Sequence, residues 1–282
     1  MKQQRRSYTR GVVRMWVIVT EKFAVLGSPI GHSKSPTIHT AAFAFRSAEA
    51  EYSRFELAEN LAEWVGGLGE EWKGLSLTMP LKEQALALAN RADHIAIISN
   101  SANTLIRTEA GWDAYNSDVF GIQMAIRDLS YKNVSVIGSG ATARSAIVAL
   151  QELGKNVSLW ARNLKASAQL AAEFEVTVLD AFYKAANCDL VISTLPAGAI
   201  DEYLSELKEP PTGTILDVAY NPWPSKAAEF WMQRGGAISG LEMLLWQAVG
   251  QQRLFAGNDL GDPLENEKGM ISAMRNALEM AK

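Results

Sequence analysis

The stretch Asn133-Val134-Ser135-Val136-Ile137-Gly138-Ser139-Gly140-Ala141-Thr142-Ala143 decides the fold. Val134–Ile137 is a short β-branched run of the kind that forms a strand buried on both faces, and it runs straight into a glycine turn. Gly138, Gly140 and Ala143 have the spacing GxGxxA. The two glycines allow a tight turn and close backbone approach to a pyrophosphate, and the small third residue lets helix and strand pack closely. Glycines at strand ends are common turn formers, so the spacing alone is weak. What strengthens it is the setting: Ala141–Leu153 reads as a helix and Val157–Trp160 as a second strand, which together make a βαβ unit. Ser139, Ala141 and Thr142 complete the loop that would line a dinucleotide's phosphates.

The end of that second strand carries the choice of cofactor. It reads Leu159-Trp160-Ala161-Arg162-Asn163, with no acid to hydrogen-bond the ribose of NAD. Arg162 offers the planar fork suited to a 2′-phosphate, and Asn163 adds a donor, so the expected cofactor is NADP. The competing reading is that Arg162 only solvates a strand end.

Outward from this unit, Glu175–Leu179, Leu190–Thr194 and Thr214–Val218 read as further strands. Helix-like stretches near Ala181–Ala186, Asp201–Leu207 and Lys226–Arg234 separate them, and a doubly wound nucleotide domain fits. Upstream, Phe23–Leu26 and Leu75–Thr78 read as strands, Lys82–Asn90 as a helix after Pro80, and Asn103–Arg107 as another strand. Ser35 is read as the N-cap of a helix with Pro36 at its first position. Asp118 is read as the cap of a helix running to about Leu129. Two long helical patterns, Glu242–Phe255 and Pro263–Met280, close the sequence with no strand between them. The class is therefore α/β with mainly parallel strands.

The 282 residues carry 27 Lys+Arg against 31 Asp+Glu, a net charge of −4, with 48% hydrophobic and 21% charged content. That balance excludes disorder, collagen and coiled coil as descriptions of the whole chain and gives no overall electrostatic footprint for nucleic acid. One Cys and three His leave too few soft ligands for a structural zinc site and no internal disulfide, so a reducing cytoplasm is the expected compartment. No metal is expected, since His32 and His39 have no recognised metal spacing; both read as local hydrogen-bonding residues. Cys188 reads as inert, and Trp160 and Trp223 as core or loop cover before cofactor stacking. The opening residues imitate a signal peptide, but Arg14 breaks the apolar run and no stretch approaches the ~18–20 apolar residues of a membrane span. Val12–Val19 reads as lead-in to the first strand. Lys2, Arg5, Arg6 and Arg10 read as a solvated terminus; a nucleic-acid arm would predict salt-dependent DNA binding lost on deleting residues 1–14.

The chemistry lies in segments outside the glycine turn. Gly27-Ser28-Pro29-Ile30-Gly31-His32-Ser33-Lys34-Ser35-Pro36 brings two hydroxyls, Ser33 and Ser35, to a helix start, where oriented N–H groups suit a small carboxylate. This segment, extended to His39, resembles the shikimate dehydrogenase signature G-x-P-I-x-H-S-x-S-P-x-x-H-N. In the family's order there follow Leu75-Ser76-Leu77-Thr78-Met79-Pro80-Leu81-Lys82, similar to N-V-T-x-P-x-K; Ala102-Asn103-Thr104-Leu105, similar to A-x-N-T; and Asn116-Ser117-Asp118, similar to N-T-D. After the glycine turn come Asp217-Val218-Ala219-Tyr220-Asn221-Pro222, similar to D-x-x-Y-N-P, and Gly240 to Gln247, similar to G-x-x-M-L-x-x-Q.

The resemblance implies NADPH-dependent, reversible reduction of 3-dehydroshikimate to shikimate, a step toward chorismate and the aromatic amino acids. It implies Lys82 and Asp118 as the central catalytic pair. Ser33, Ser35 and Tyr220 would hold the substrate carboxylate, and Thr78, Asn103 and Gln247 would meet ring hydroxyls or the lysine. Gly138 to Ala143, Arg162, Asn163 and Gly240 would hold the cofactor. The implied layout is a substrate-binding domain at 1–118 (with 1–20 as extension and lead-in), a Rossmann NADP domain at 119–240, and helices at 241–282 returning to the first domain. Hinges are expected near 118–121 and 238–241. The expected partner is the small-molecule substrate, with no nucleic acid and no membrane, in a monomer or homodimer. Departures are Ser76 for Asn, Thr40 for the Asn after the second His, Ala161-Arg162-Asn163 for N-R-T, and Ile192 to Gly198 against A-T-S-x-G-M. They bear on cofactor strictness and substrate breadth. Two alternatives remain: a quinate/shikimate dehydrogenase using NAD, which the missing acid after Trp160 disfavours, and a silent dinucleotide-binding module, which retention of Lys82 and Asp118 disfavours.

Overall fold

In the computed structural model, residues 20–281 are described, together with the short antiparallel pair β1 (Arg6–Ser7) and β2 (Trp16–Val17). Lys2, Arg5, Arg10 and most of the lead-in Val12–Val19 lie outside the described residues.

The first large sheet is built from β3 (Glu21–Gly27), β4 (Ala50–Glu56), β5 (Trp72–Leu77), β6 (Arg91–Ala92), β7 (Thr104–Thr108) and β8 (Gly111–Tyr115), in the order β4-β3-β5-β7-β8-β6. Four helices lie between these strands: α1 (Ser35–Phe45), α2 (Leu61–Gly66), α3 (Lys82–Leu88) and α4 (His94–Ile98). The pairings β3–β4, β3–β5 and β6–β8 are parallel, and only β7 runs antiparallel to its neighbours. The reason is local. Thr108 and Gly111 are directly paired, so two residues close a hairpin, and Gly111 adopts φ +131°, a conformation that favours glycine. Strand β3 is buried on both faces by alternation. Ala24 and Leu26 join Leu75, Leu77, Leu61 and Leu105 in one core, while Phe23 and Val25 join Phe43 and Tyr52 in another.

Helix α5 (Ser117–Ile126) leads to the second sheet. There β9 (Val134–Ile137), α6 (Ala141–Glu152), β10 (Val157–Trp160), α7 (Leu164–Phe174), β11 (Thr177–Val178), α8 (Phe182–Ala186), β12 (Leu190–Ser193), a 3-10 turn (Asp201–Glu206), β13 (Thr214–Asp217), α9 (Lys226–Trp231) and β14 (Gly236–Ser239) follow one another. The order β11-β10-β9-β12-β13-β14, parallel throughout, is the doubly wound dinucleotide arrangement. Its switch point falls between β9 and β12, at the end of β9 that carries the glycine turn. The stretch expected as a helix at Asp201–Leu207 is 3-10, and the strand expected over Glu175–Leu179 shrinks to an exposed two-residue edge.

Finally, α10 (Gly240–Phe255) and α11 (Glu267–Met280) return to the first sheet. Leu245, Ala248 and Val249 of α10 and Met270, Met274 and Leu278 of α11 bury Ile38 and Ala42 of α1. No helix among the described residues is long and apolar enough to cross a membrane.

Candidate active site

Three short elements start close together, and each brings one polar side chain. Lys82 opens α3, Asn103 immediately precedes β7, and Asp118 sits in the first turn of α5. All three are buried, at 7%, 2% and 4% exposure. Lys82 Nζ donates to Asp118 Oδ2, forming a buried ion pair. Asn103 Nδ2 donates to the other carboxylate oxygen, Oδ1, at 2.8 Å. Both oxygens of Asp118 thus have donors, which holds the carboxylate plane and the lysine it anchors. Asp118 does not cap its helix as the sequence reading expected. Asn116 is the N-cap and accepts the Asp118 N–H at 3.0 Å, which leaves the Asp118 side chain free to face Lys82.

Gln247 of α10 reaches the same cluster from the opposite side, its Oε1 3.3 Å from Asn103 Nδ2 and its own amide donating to Leu244 O at 2.9 Å. Thr78 follows β5 and is tied by its N–H to Leu26 O at 2.9 Å. The Ser33/Ser35 segment lies between β3 and α1. Here the capping expectation also fails: Ser35 is the first helical residue rather than the cap, and Ser33 Oγ accepts the Ser35 N–H at 3.3 Å. Tyr220, on the loop after β13, faces the backbone N–H of Lys34, and burial pushes its phenol up from the ordinary range. That loop is held by Asp217, which accepts from Ser225 Oγ at 2.7 Å and Ala219 N–H at 3.3 Å; burial raises this carboxyl against those bonds. The structure therefore gathers Lys82, Asp118, Asn103 and Gln247 directly, and sets Tyr220 against the Ser33–Ser35 segment.

The glycine turn fits a dinucleotide. Gly138 has φ +127°, and a Cβ there would lie 2.2 Å from Thr194 Oγ1. A Cβ on Gly140 would meet nothing within 4 Å, and no side chain caps α6, so no side-chain acceptor competes for the first N–H groups of that helix. Ala143 is fully buried against the sheet. At the end of β10, Asn163 Oδ1 caps α7 by accepting from Ala166 N–H at 3.0 Å. Arg162 is half exposed and lies 3.5 Å from Glu202 Oε1, an ion pair that the sequence reading missed because Glu202 is forty residues away. Gly240 allows α10 to start against the chain after β13, since a Cβ would lie 2.2 Å from Val218 O. Trp160 packs on Phe182 and Tyr203 as core. Among the described residues no group of His, Cys, Asp or Glu could hold a metal ion.

A second polar cluster went unread. Gln251 lies one helical turn beyond Gln247, and that i, i+4 spacing was the available signal. Its Oε1 accepts from Ser76 Oγ at 2.9 Å and meets His39 Nε2 at 3.0 Å, and its Nε2 donates to Asn103 O at 3.1 Å and Thr104 Oγ1 at 2.9 Å. Ser76, the departure from Asn, also accepts from Tyr52 Oη at 2.6 Å, so both of its hydrogen-bonding roles are taken inside the protein. His39 is a hydrogen-bonding residue as expected, but not a local one: its ring partners, Gln251 and Gln252, are 212 and 213 residues away, and full burial pushes its pKa down to about 3 by desolvation.

Comparison with known proteins adds to this geometry. Residues 25–105 match the family model described as the shikimate dehydrogenase substrate binding domain, and residues 133–221 match one described as NADP oxidoreductase, coenzyme F420-dependent. A Thermus thermophilus protein named shikimate dehydrogenase (NADP(+)) is 31% identical over 265 residues, covering 91% of this chain and 98% of that one. The crystal structure of Mycobacterium tuberculosis shikimate dehydrogenase superposes with a TM-score of 0.82 at 37% identity, covering 93% of this chain and all of that one. A Thermus thermophilus shikimate 5-dehydrogenase in complex with NADP(H) and shikimate gives 0.80 at 29% identity, covering 91% and 99%.

Proposed function

The chain belongs to the shikimate dehydrogenase family, and on that premise we propose how its residues carry out the NADP-dependent, reversible reduction of 3-dehydroshikimate to shikimate in aromatic amino-acid biosynthesis. The observation that carries the reading is the buried Lys82–Asp118 pair with Asn103 on its free carboxylate oxygen. NADPH, when bound, supplies the hydride.

Reduction of the ketone leaves charge on its oxygen. The Lys82 ammonium meets that oxygen, stabilises the developing alkoxide and gives it a proton, which leaves a neutral amine to be reprotonated from solvent. In the oxidative direction the neutral amine takes the hydroxyl proton. Asp118 fixes Lys82 in position, and Asn103 fixes Asp118. Burial of the pair keeps bulk water from competing for the donor. Ser33, Ser35 and Tyr220 hold the substrate carboxylate through neutral donors, while Thr78, Asn103 and Gln247 orient the ring hydroxyls. The backbone of residues 138–143 cradles the pyrophosphate at the start of α6, Arg162 with Asn163 takes the 2′-phosphate, and Gly240 lets the chain pass close to the cofactor.

We read residues 1–118 and 241–282 as the part that takes the substrate, and 119–240 as the part that takes NADP, with bending near 118–121 and 238–241. The enzyme acts in the cytoplasm on a small molecule, as a monomer or homodimer, without nucleic acid or membrane. The test is direct: 3-dehydroshikimate is offered with NADPH and NADH, and shikimate and quinate with both oxidised cofactors. Turnover fastest with the NADP and shikimate pairs is expected. Turnover with none would sink the reading, and turnover confined to quinate with NAD would replace it.

A further inference from the structure

The second polar cluster is continuous with the first, and its hydrogen-bond directions are forced from both ends. An arginine can only donate. Arg46 donates to Gln252 Oε1 at 2.7 Å, so Gln252 Nε2 must donate to His39 Nδ1, 2.8 Å away. His39 therefore carries its proton on Nε2 and donates it to Gln251 Oε1. The Gln251 amide is fixed a second time by the Asn103 carbonyl, which can only accept from Gln251 Nε2. Thr104 Oγ1 receives the other hydrogen of that amide, which leaves its own hydroxyl hydrogen to go to Asn103 Oδ1 at 2.8 Å. The Ser117 N–H donates to the same oxygen at 2.9 Å. With its oxygen so occupied, Asn103 can present only its Nδ2 hydrogens to Asp118.

We propose that Gln251 and Thr104 are positioning residues for the reaction: they aim the amide of Asn103 so that its N–H groups, and not its oxygen, face the Asp118 carboxylate. Their hydrogen bonds toward the Lys82–Asp118 pair end on Asn103, so they act through Asn103. A reversed amide would set a carbonyl oxygen against a carboxylate and release Asp118 and Lys82 from their alignment. The inference rests on the proposed function for its kinetic consequence, but its structural part stands apart from turnover.

The test compares Thr104→Val, which keeps the shape and removes the hydroxyl, with Thr104→Ser, which keeps the hydroxyl. Gln251→Glu is a third variant, whose carboxylate would draw the Thr104 hydroxyl hydrogen away from Asn103. With shikimate and NADP, Thr104→Val and Gln251→Glu should lower kcat by about five- to thirty-fold, the effect of one or two lost hydrogen bonds at a charged group, with KM for NADP changed less than about twofold. Thr104→Ser should stay within about threefold of the parent. In protein labelled with 15N-asparagine, the side-chain amide signals of Asn103 should shift and exchange faster in Thr104→Val and stay in place in Thr104→Ser. Equal kinetics and unmoved amide signals in Thr104→Val would overturn the proposal, as would a Thr104→Ser variant as impaired as Thr104→Val. Absence of turnover in the parent itself would strike the functional reading and leave the amide signals to decide this one.

Discussion

Protonation of His39 should be the acid weakness of this protein. The ring is fully buried, stacked on Tyr52 at 4.3 Å, accepts from Gln252 at Nδ1 and donates to Gln251 from Nε2. Burial strips a charged ring of solvent, and a second ring proton would point at the Gln252 amide hydrogens, which fits a pKa pushed down to about 3 against the 6.5 of a free histidine. A base held neutral in the folded state and charged more readily in the unfolded one stabilises the fold fully above pH 6.5 and progressively less as pH falls toward 3. Between pH 7 and pH 5 the loss is about 2 kcal/mol, from roughly 1.4 kcal/mol per unit over the 1.5 units below 6.5. Urea unfolding at the two pH values, for the parent and for His39→Gln, isolates this one group because the other titrations are common to both. The variant should be less stable at pH 7 by roughly 1–3 kcal/mol for its disrupted hydrogen bonds. That gap should close by about 2 kcal/mol at pH 5. A gap of the same size at both pH values would refute the argument.

Other outcomes follow from the site and its supports. Lys82→Met should cut kcat by about 10²–10⁴ while KM for shikimate moves only a few-fold, and near-normal turnover would remove its role as proton donor. Arg162→Ala should raise KM for NADPH by roughly tenfold or more and leave that for NADH little changed. Glu202→Gln should do the opposite by up to about fivefold, since the exposed Arg162–Glu202 pair is worth at most about 1 kcal/mol; steady-state kinetics with both cofactors reads each. Arg253 holds Glu267 through two bonds of 2.7 and 2.8 Å with both side chains mostly buried, so Arg253→Met should cost about 3–5 kcal/mol in urea unfolding by stranding the carboxylate.

What the sequence revealed, and what it hid, follow from how far each signal reaches. Strands β9, β10, β12 and β13 are sandwiched between helices, so each is a short, mostly apolar run that ends at a turn, and the sequence places each to within a residue at either end. Strand β4 was missed because it is an edge: in Ala50–Glu56 only Tyr52 is buried, and neither alternation nor an apolar run survives. Strand β14, a half-buried edge of Gly-Ala-Ile-Ser, was missed for the same reason. The capping errors at Ser35 and Asp118 are of another kind. Both residue types favour caps, but which residue leaves the helical conformation is set by the preceding chain, and here Asn116 does so while Asp118 turns inward. Lys82, Asp118, Asn103 and Gln247 stand out as candidates because each lies in a short contiguous motif that resembles the family's, and a contiguous motif needs no knowledge of the fold to be seen. The bonds of Gln251 to Thr104 and of Glu202 to Arg162 join residues far apart in sequence; the i, i+4 spacing puts Gln251 on the helix face of Gln247 but does not name its partner, and no local signal pairs Glu202 with Arg162.

The return of α10 and α11 to the first sheet has a consequence for how the protein is made. Arg46 and Gln252, which bond across the α1–α10 contact, are 206 residues apart, so α1 leaves the ribosome long before its cover exists. At about 5–20 residues per second, the apolar side of α1 waits on the order of ten to forty seconds. Meanwhile the second sheet, whose strands are contiguous in the chain, can complete itself. The later-synthesised sheet is thus the earlier to mature, and the nascent first sheet is the species that needs shelter from aggregation.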